Sequence, residues 1–543
     1  MRERVLLISA EHEKTFWSWK NALKFVGKLA AFIPLALLTV AAMFPEDWEK
    51  ELLDLNMLAN KRLWTVWRFF LRIFGGKRTS ADLISKRKLK RVDVVVISGM
   101  IGQGNSIKEI VARLVRFGVK EIWLGGSIVE TKEMCNEFPG VTRFCIGKGE
   151  RVLRHMIADY RAGVAQRVYD ASDYGFPSIS ESPAPLFELI NPGYYSSAAL
   201  QTSWGCPYSC TFCLERLIDG GKWQQKAVGR VLEELDALYR TGFRGAVQIF
   251  SSNFAGNIKQ SAALCDAIAA WQVERGHPYE FTVEVAAMIA RYPGAMASMV
   301  RAGVKKAFLG LETDDEDCLM EAKKWQNLGS KLGMSLREAV RRFHEAGMLT
   351  LTGIIACGFD SDKPDFADRI INFVQDTCPI PMVDTLQAQP GTYLWDKLVS
   401  ATPIRRPWNT RSNTAFLPNF PTIMRPRDLA SGFVKVVKTA WMPRKFYERI
   451  CGWLEHYGVA NRPRKKLRLN DVMAFMRANF WIGLLGGPRT SYYYWCSLLK
   501  TLFSKKRAAL ADVVALWIYR THFEAATREE LKMAEAWLAS HAD

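Results

Sequence analysis

The stretch Thr202–Arg216, TSWGCPYSCTFCLER, places Cys206, Cys210 and Cys213 within eight positions, with no fourth cysteine nearby. A structural zinc site wants four closed ligands, the second pair a dozen or more residues beyond the first. No second pair follows, and His12 and His155 are remote in sequence. A redox dithiol would use Cys210 and Cys213 and leave Cys206 without a role. Ordinary iron–sulfur electron carriers fill every iron with cysteine. Three thiolates on a four-iron cluster leave one iron open to a chelating substrate, and the spacing favours that reading.

Outward from this stretch, both flanks alternate strands with helices. Before it, RVLLIS (4–9), ELLDLN (51–56), DVVVISG (93–99), EIWLGGS (121–127) and TRFCIG (142–147) read as strands, with helical periodicity at 106–117. Continuous Val/Ile/Leu runs alternating with helices predict a parallel sheet covered on both faces, with ligands beyond its carboxyl strand ends. Those ends carry glycines: SGMIGQGNS (98–106), GGSIVE (125–130) and GKGE (147–150). Such tips admit a bulky ligand against backbone, although tight turns alone also explain them. GQG (102–104) is only a fragment of a dinucleotide fingerprint. After a polar linker at 171–195, six further strands with intervening helices, from SAALQTS (197–203) to MVDTLQAQPG (382–391), predict an incomplete barrel. The expected order is therefore a Rossmann-like domain (1–170), the linker, a partial (β/α)6 barrel (196–400) and a helical, basic C-terminal domain (401–543). The latter ends in a helix at 527–540 capped by Thr527.

CPYSCTFC matches the C-x3-C-x2-C signature of the radical S-adenosylmethionine (SAM) enzymes, with Phe212 before the last cysteine. The N-terminal α/β unit, the stretches 34–46, 93–101 and 147–150, and the segment 413–450 resemble the cobalamin-binding subclass, in particular the group containing the hopanoid C-2 methylases. The resemblance implies that Cys206, Cys210 and Cys213 hold a 4Fe-4S cluster whose open iron binds SAM. It also implies that a 5′-deoxyadenosyl radical formed there abstracts hydrogen from an inert C–H bond. It assigns SAM contacts to Phe212, Ser251, Ser252, Asn253, Glu284 and Glu312, although relatives often carry two acidic residues where this chain has Ser251 and Ser252. A plain structural carboxylate at a barrel mouth is the alternative for Glu284 and Glu312. Cobalamin contacts fall on Ser98, Gly99, Gly102, Gly125, Gly126, Ser127, Gly149 and Glu150. The D-x-H-x-x-G motif that ligates cobalt elsewhere is absent, so a histidine-free lower face is expected.

Charge and hydropathy bound the partners. Of 543 residues, 74 are Lys or Arg against 55 acids, a formal +19 that calls for an anionic or amphiphilic partner. Eleven cysteines without a pairing pattern suit a reducing compartment. Leu29–Phe44 is apolar but too short to span a bilayer and contains Pro34, so a buried helix is expected. KRLWTVWRFFLRIFGGKR (61–78), KRKLKR (86–91), RPRKKLR (462–468), NFWIGLLGG (479–487) and YYYWCSLLKTLFSKKR (492–507) mix cations with Trp, Phe and Leu. That is the profile of an interfacial helix on anionic lipid. A solvated basic face is the plain alternative, and the chain carries no recognisable nucleic-acid-binding module.

The combined expectation is a cytoplasmic enzyme, peripheral on the inner face of the membrane. It would methylate an unactivated carbon of a hydrophobic lipid or polycyclic substrate, with flavodoxin or ferredoxin as one-electron reductant. The alternative chemistry is radical oxidation or cyclisation of a tetrapyrrole or lipid without methyl transfer. Replacing Cys206, Cys210 or Cys213 by Ala should abolish the reconstituted cluster's visible absorbance and deoxyadenosine formation. The same change at Cys265, Cys318 or Cys357 should leave both intact.

Overall fold

The computed structural model describes residues 2–60, 79–215, 221–377, 379–400, 404, 415–458 and 468–541. The basic stretch 61–78 and most of 462–468 lie outside them. The strands are β1 (Arg4–Ser9), β2 (Ala30–Phe32), β3 (Glu49–Asp54), β4 (Val94–Ser98), β5 (Ile122–Gly125), β6 (Arg143–Ile146), β7 (Val168–Asp170), β8 (Tyr195–Leu200), β9 (Ser203–Trp204), β10 (Gln224–Gln225), β11 (Gly245–Ile249), β12 (Tyr279–Glu284), β13 (Val304–Glu312), β14 (Leu349–Ile355) and β15 (Ile380–Asp384).

They form two parallel sheets. The first has the order β3-β1-β4-β5-β6-β7, and the second β15-β14-β13-β12-β11-β8-β2. The short antiparallel ribbon β9–β10 brackets the cysteine loop. The first sheet forms where β-branched runs such as VVVIS bury almost every side chain. Its cover includes the helix Gly104–Arg116, which turns Ile107, Ile110, Val111 and Leu114 inward at helical spacing. The second sheet is an open parallel barrel, running from β8 to β15 with β2 added at its edge.

Two expectations need correction. Leu29–Phe44 is not one helix. Pro34 divides it into β2, which pairs with β8 through Ala30–Tyr195 and Phe32–Ser197, and the helix Leu35–Met43. Leu37 and Ala41 of that helix pack against Val5 and Leu7 of β1. The N-terminal region thus lends a seventh strand to the barrel sheet before it completes its own. The C-terminal helix is also longer, running over Leu510–Ser540. Thr527 is interior to it, its hydroxyl donating to the Phe523 carbonyl at 3.0 Å instead of capping a terminus.

This helix closes the amino-end face of the barrel. Arg520, 1% exposed, donates from Nε to the Trp441 carbonyl at 2.9 Å, and Trp441 stacks on Phe523 at 5.4 Å. His522 Nε2 lies 2.8 Å from the Phe16 carbonyl and so joins the two ends of the chain. Among the described residues no helix is long and apolar enough to cross a membrane. Arg520→Ala should leave the Trp441 carbonyl buried without a partner, at a cost of about 2–3 kcal/mol, read as a lower urea midpoint with unchanged slope.

Candidate functional site at the facing strand ends

The cysteine loop leaves β8 through Gly205, whose φ is +75°. A Cβ there would lie 2.3 Å from the Lys222 carbonyl oxygen, so the β9–β10 ribbon admits only glycine. Thr211, between Cys210 and Cys213, pins the loop through both its backbone groups, its N–H donating to Ala322 O and its carbonyl accepting from Leu394 N, each at 2.9 Å. Cys206, Cys210 and Cys213 are half-buried and free of disulfides. Gln326 Nε2 approaches Cys210 Sγ at 3.5 Å, and the Asn253 side chain hydrogen-bonds Cys206. Burial raises the Cys206 thiol and pushes Cys213 up to about 12, while the Lys324 ammonium opposes both shifts. Among the described residues no three ligating side chains converge on a point that would hold a single metal ion. A cluster binds its cysteines at separate irons instead, and three free, half-buried thiols on one pinned loop are the donor set it uses.

Lys324 is the residue the sequence reading missed. It is buried beside the thiols and paired with Glu312 at 2.7 Å. Burial lowers its pKa, but Glu312 and Cys210 more than offset that and raise it overall. The Phe212 ring lies 5.8 Å from its ammonium. Glu312 sits at a register shift of β13 in the left-handed region, φ +65°. A Cβ at Gly310 would come within 2.7 Å of the Glu312 carboxylate. Nothing in EAKKWQN distinguishes Lys324 from its neighbour Lys323 without the fold.

The other residues expected at SAM divide by surroundings. Ser251 Oγ accepts from Ser203 N at 3.2 Å and lies 3.3 Å from Thr202 Oγ1, holding the end of β8 in place. Ser252 Oγ donates to Glu215. Asn253 Oδ1 accepts from Ala286 N at 3.3 Å. Glu284 is half-buried and lines an interior cavity. Burial, then the nearby Glu215 carboxylate, raise its pKa to about 8, so its carboxyl is largely protonated at neutral pH.

That cavity, about 2280 Å³, lies between the carboxyl edges of the two sheets and runs down the barrel to its amino end. Ser98, Gly99, Gly125, Gly126, Ser127, Gly149 and Glu150 line it from the first sheet. Trp204, Phe250 and Glu284 face them from the second. Gly102 is not on its wall. Lys148 Nζ lies 4.1 Å from the Trp204 ring centre, spanning the two units, and the buried indole N–H of Trp204 has no hydrogen-bond partner among the described residues. A Cβ at Gly149 would meet nothing closer than Cys145 Sγ at 4.0 Å, so this tip is open. Volume, open tip and orphaned N–H fit a large ligand such as cobalamin. Gly126 is constrained differently: at φ +90° its Cβ would strike the Gly99 carbonyl oxygen at 2.6 Å, so it serves strand-end packing and not clearance for a ligand. His12, set aside as remote in sequence, also lines the cavity, and burial lowers its pKa to about 4, leaving a neutral imidazole.

Known proteins agree with this architecture. A family model described as "Domain of unknown function (DUF4070)" matches residues 392–536. An uncharacterized methyltransferase of Synechocystis, sll1242, is 29% identical over 447 residues, 82% of this chain and 77% of its own. The hopanoid C-2 methylase of Rhodopseudomonas palustris is 25% identical over 505 residues, 90% and 88% of the two chains. The cobalamin-dependent SAM radical enzyme OxsB, solved with aqua-cobalamin and SAM bound, superposes with a TM-score of 0.57 at 13% identity, over all of this chain and 82% of its own. The radical SAM methyltransferase TsrM of Kitasatospora setae, solved with cobalamin and a [4Fe-4S] cluster, gives 0.50 at 15% identity over 74% and 78%. The fold is that of the cobalamin-dependent radical SAM enzymes. The relatives in sequence are a methyltransferase and a methylase.

Two outcomes follow from this geometry. Gly126→Ala should lower the melting temperature of the cofactor-free protein as well as its cobalamin uptake, since the clash is with backbone. Glu284 has a folded pKa above its unfolded value, so the stability it contributes is present below the unfolded pKa of about 4.5 and is lost as pH rises through about 8. Relative to Glu284→Gln, the wild type should therefore lose stability across pH 5–8, with a slope approaching ~1.4 kcal/mol per pH unit, measured by urea unfolding of the cofactor-free protein.

Proposed function

We propose that this protein is a cobalamin-dependent radical SAM methyltransferase that methylates an unactivated carbon of a hydrophobic substrate. One observation carries the reading: a single large cavity joins the glycine-bearing tips of the first sheet to the barrel mouth beside the cysteine loop. A 4Fe-4S cluster with SAM supplies a carbon-centred radical, and cobalamin supplies the methyl group. The chain's own residues then have distinct tasks.

Cys206, Cys210 and Cys213 are the cluster ligands in this reading, and Lys324 places a positive charge beside their thiolates. Glu312 holds that ammonium and is at the same time a candidate partner for the SAM amino group. Protonated Glu284 can donate a hydrogen bond to SAM or substrate without adding charge to the cavity. The Rossmann-like unit is the cobalamin side, with Ser98, Ser127 and Glu150 as polar contacts around Gly149. The cavity wall between them is rich in side chains such as Phe32, Phe250, Phe308 and Tyr519, which suits an apolar substrate and excludes water from the radical step. A flavodoxin- or ferredoxin-type donor would supply the electron.

The test is anaerobic reconstitution with iron, sulfide, cobalamin and methyl-labelled SAM. Wild type should bind cobalamin and form deoxyadenosine, and Cys210→Ala should form none. Deoxyadenosine formation by Cys210→Ala would end the radical SAM reading. An intact cluster with no cobalamin bound would end the methyl-transfer reading alone.

A further inference from the structure

The helices Leu469–Ala478 and Pro488–Leu502, joined through a π-helical segment at Asn479–Leu484, form a helical hairpin at the amino end of the barrel. There Arg468 donates to the Pro278 carbonyl and Ser497 accepts from Trp517 of the C-terminal helix. The hairpin's outer side is apolar. In the second helix the buried side is Tyr494, Ser497, Leu498 and Thr501, while the outward stripe at 492, 495, 499 and 502 is Tyr, Trp, Leu, Leu, all exposed. A soluble amphipathic helix keeps its outward stripe polar. Phe503 is 82% exposed, Leu469 76% and Leu484 69%, so the apolar surface extends through both helices and the turn. An exposed patch this continuous marks a docking surface.

Its charge selects the occupant. Between 468 and 507 seven cations stand against the single acid Asp471. Arg468, Arg477 and Lys506 donate to the carbonyls of Pro278, Phe25 and Tyr457, and Arg489, Lys500, Lys505 and Arg507 are exposed. Two copies meeting through this face would oppose like charges. An anionic bilayer would receive the apolar stripe among its chains and the cations at its headgroups. The hairpin also adjoins the interior: Val472 and Phe475 of its first helix line the cavity.

We propose that the hairpin 469–503 is a monotopic docking surface for an anionic phospholipid bilayer, placing the cavity wall at the lipid boundary. Docking stands on the hairpin alone. That a lipid-soluble substrate enters the cavity there rests on the function proposed above.

Flotation of the full-length protein with phosphatidylcholine vesicles, with and without phosphatidylserine, tests it. The protein should float with phosphatidylserine vesicles, less so in high salt. Leu499→Asp/Leu502→Asp should reduce the floated fraction by about tenfold, and Met533→Asp, exposed on the C-terminal helix, should not. Phe503→Ser, the milder change, should reduce it several-fold and keeps the test open if the double variant misfolds by circular dichroism. Wild type remaining at the bottom with both vesicle types overturns the proposal. So does equal flotation of the folded hairpin variants, or a dimer by light scattering that the variants dissolve without any vesicle binding. Deoxyadenosine formation by the same preparations is read separately: its absence in wild type bears on the radical reaction and leaves the docking result standing.

Discussion

Parallel strands end together. Each sheet therefore exposes a row of backbone groups and loop starts along one edge, and this protein sets two such edges against each other across one cavity. Every functional assignment depends on that opposition. It gives one side short glycine tips, which leave backbone open to a flat ligand, and the other side a barrel mouth carrying cysteines and carboxylates. β2 helps to fix the opposition, because a strand drawn from the N-terminal region is hydrogen-bonded into the barrel sheet beside β8, the strand that leads to the cysteine loop. The two units are stitched by backbone as well as by side-chain contact.

Charge is the second constraint. A loop holding three thiolates gathers negative charge in a place where burial disfavours it, as the raised Cys206 and Cys213 thiols record. A buried lysine is itself costly unless paired. The Glu312–Lys324 pair answers both problems, with Glu312 keeping the ammonium ionised and the ammonium facing the sulfur atoms. The left-handed Glu312 and the absence of a side chain at Gly310 are what the pair requires of the backbone.

What was legible in the sequence was whatever repeats or clusters along the chain. Five strands of the first sheet stand within about two residues of their expected positions, because continuous β-branched runs have few other uses. The cysteine triplet was legible because its ligand count is local. What escaped depends on contacts between distant segments. β2 is three residues long, too short for a periodic signal, and exists only because β8 is beside it. Lys324 lies more than a hundred residues from the cysteines it faces. His12 was discounted for sequence distance, although the end of β1 brings it to the cavity. Thr527 reads as a cap only if Leu510–Ser540 is taken to begin there. Its hydroxyl instead bonds back within a helix held by tertiary packing.

The basic aromatic stretches show how such a pattern acquires meaning. Composition alone treats 86–91 and 492–507 alike, as cations mixed with apolar residues. In the fold, Lys86–Leu89 buries its leucine and leaves its cations in solvent, where Lys88 pairs with Glu51, an ordinary solvated face. Pro488–Leu502 buries Tyr494 and Leu498 with two hydroxyls, and still leaves Tyr492, Trp495, Leu499 and Leu502 outward. The difference lies in which stripe meets the core, and no count of charges contains it. A helix that keeps an outward stripe of rings and leucines has committed that face to something other than water, and the helix before it, Leu469–Ala478, lines the cavity where the chemistry is proposed to occur with Val472 and Phe475.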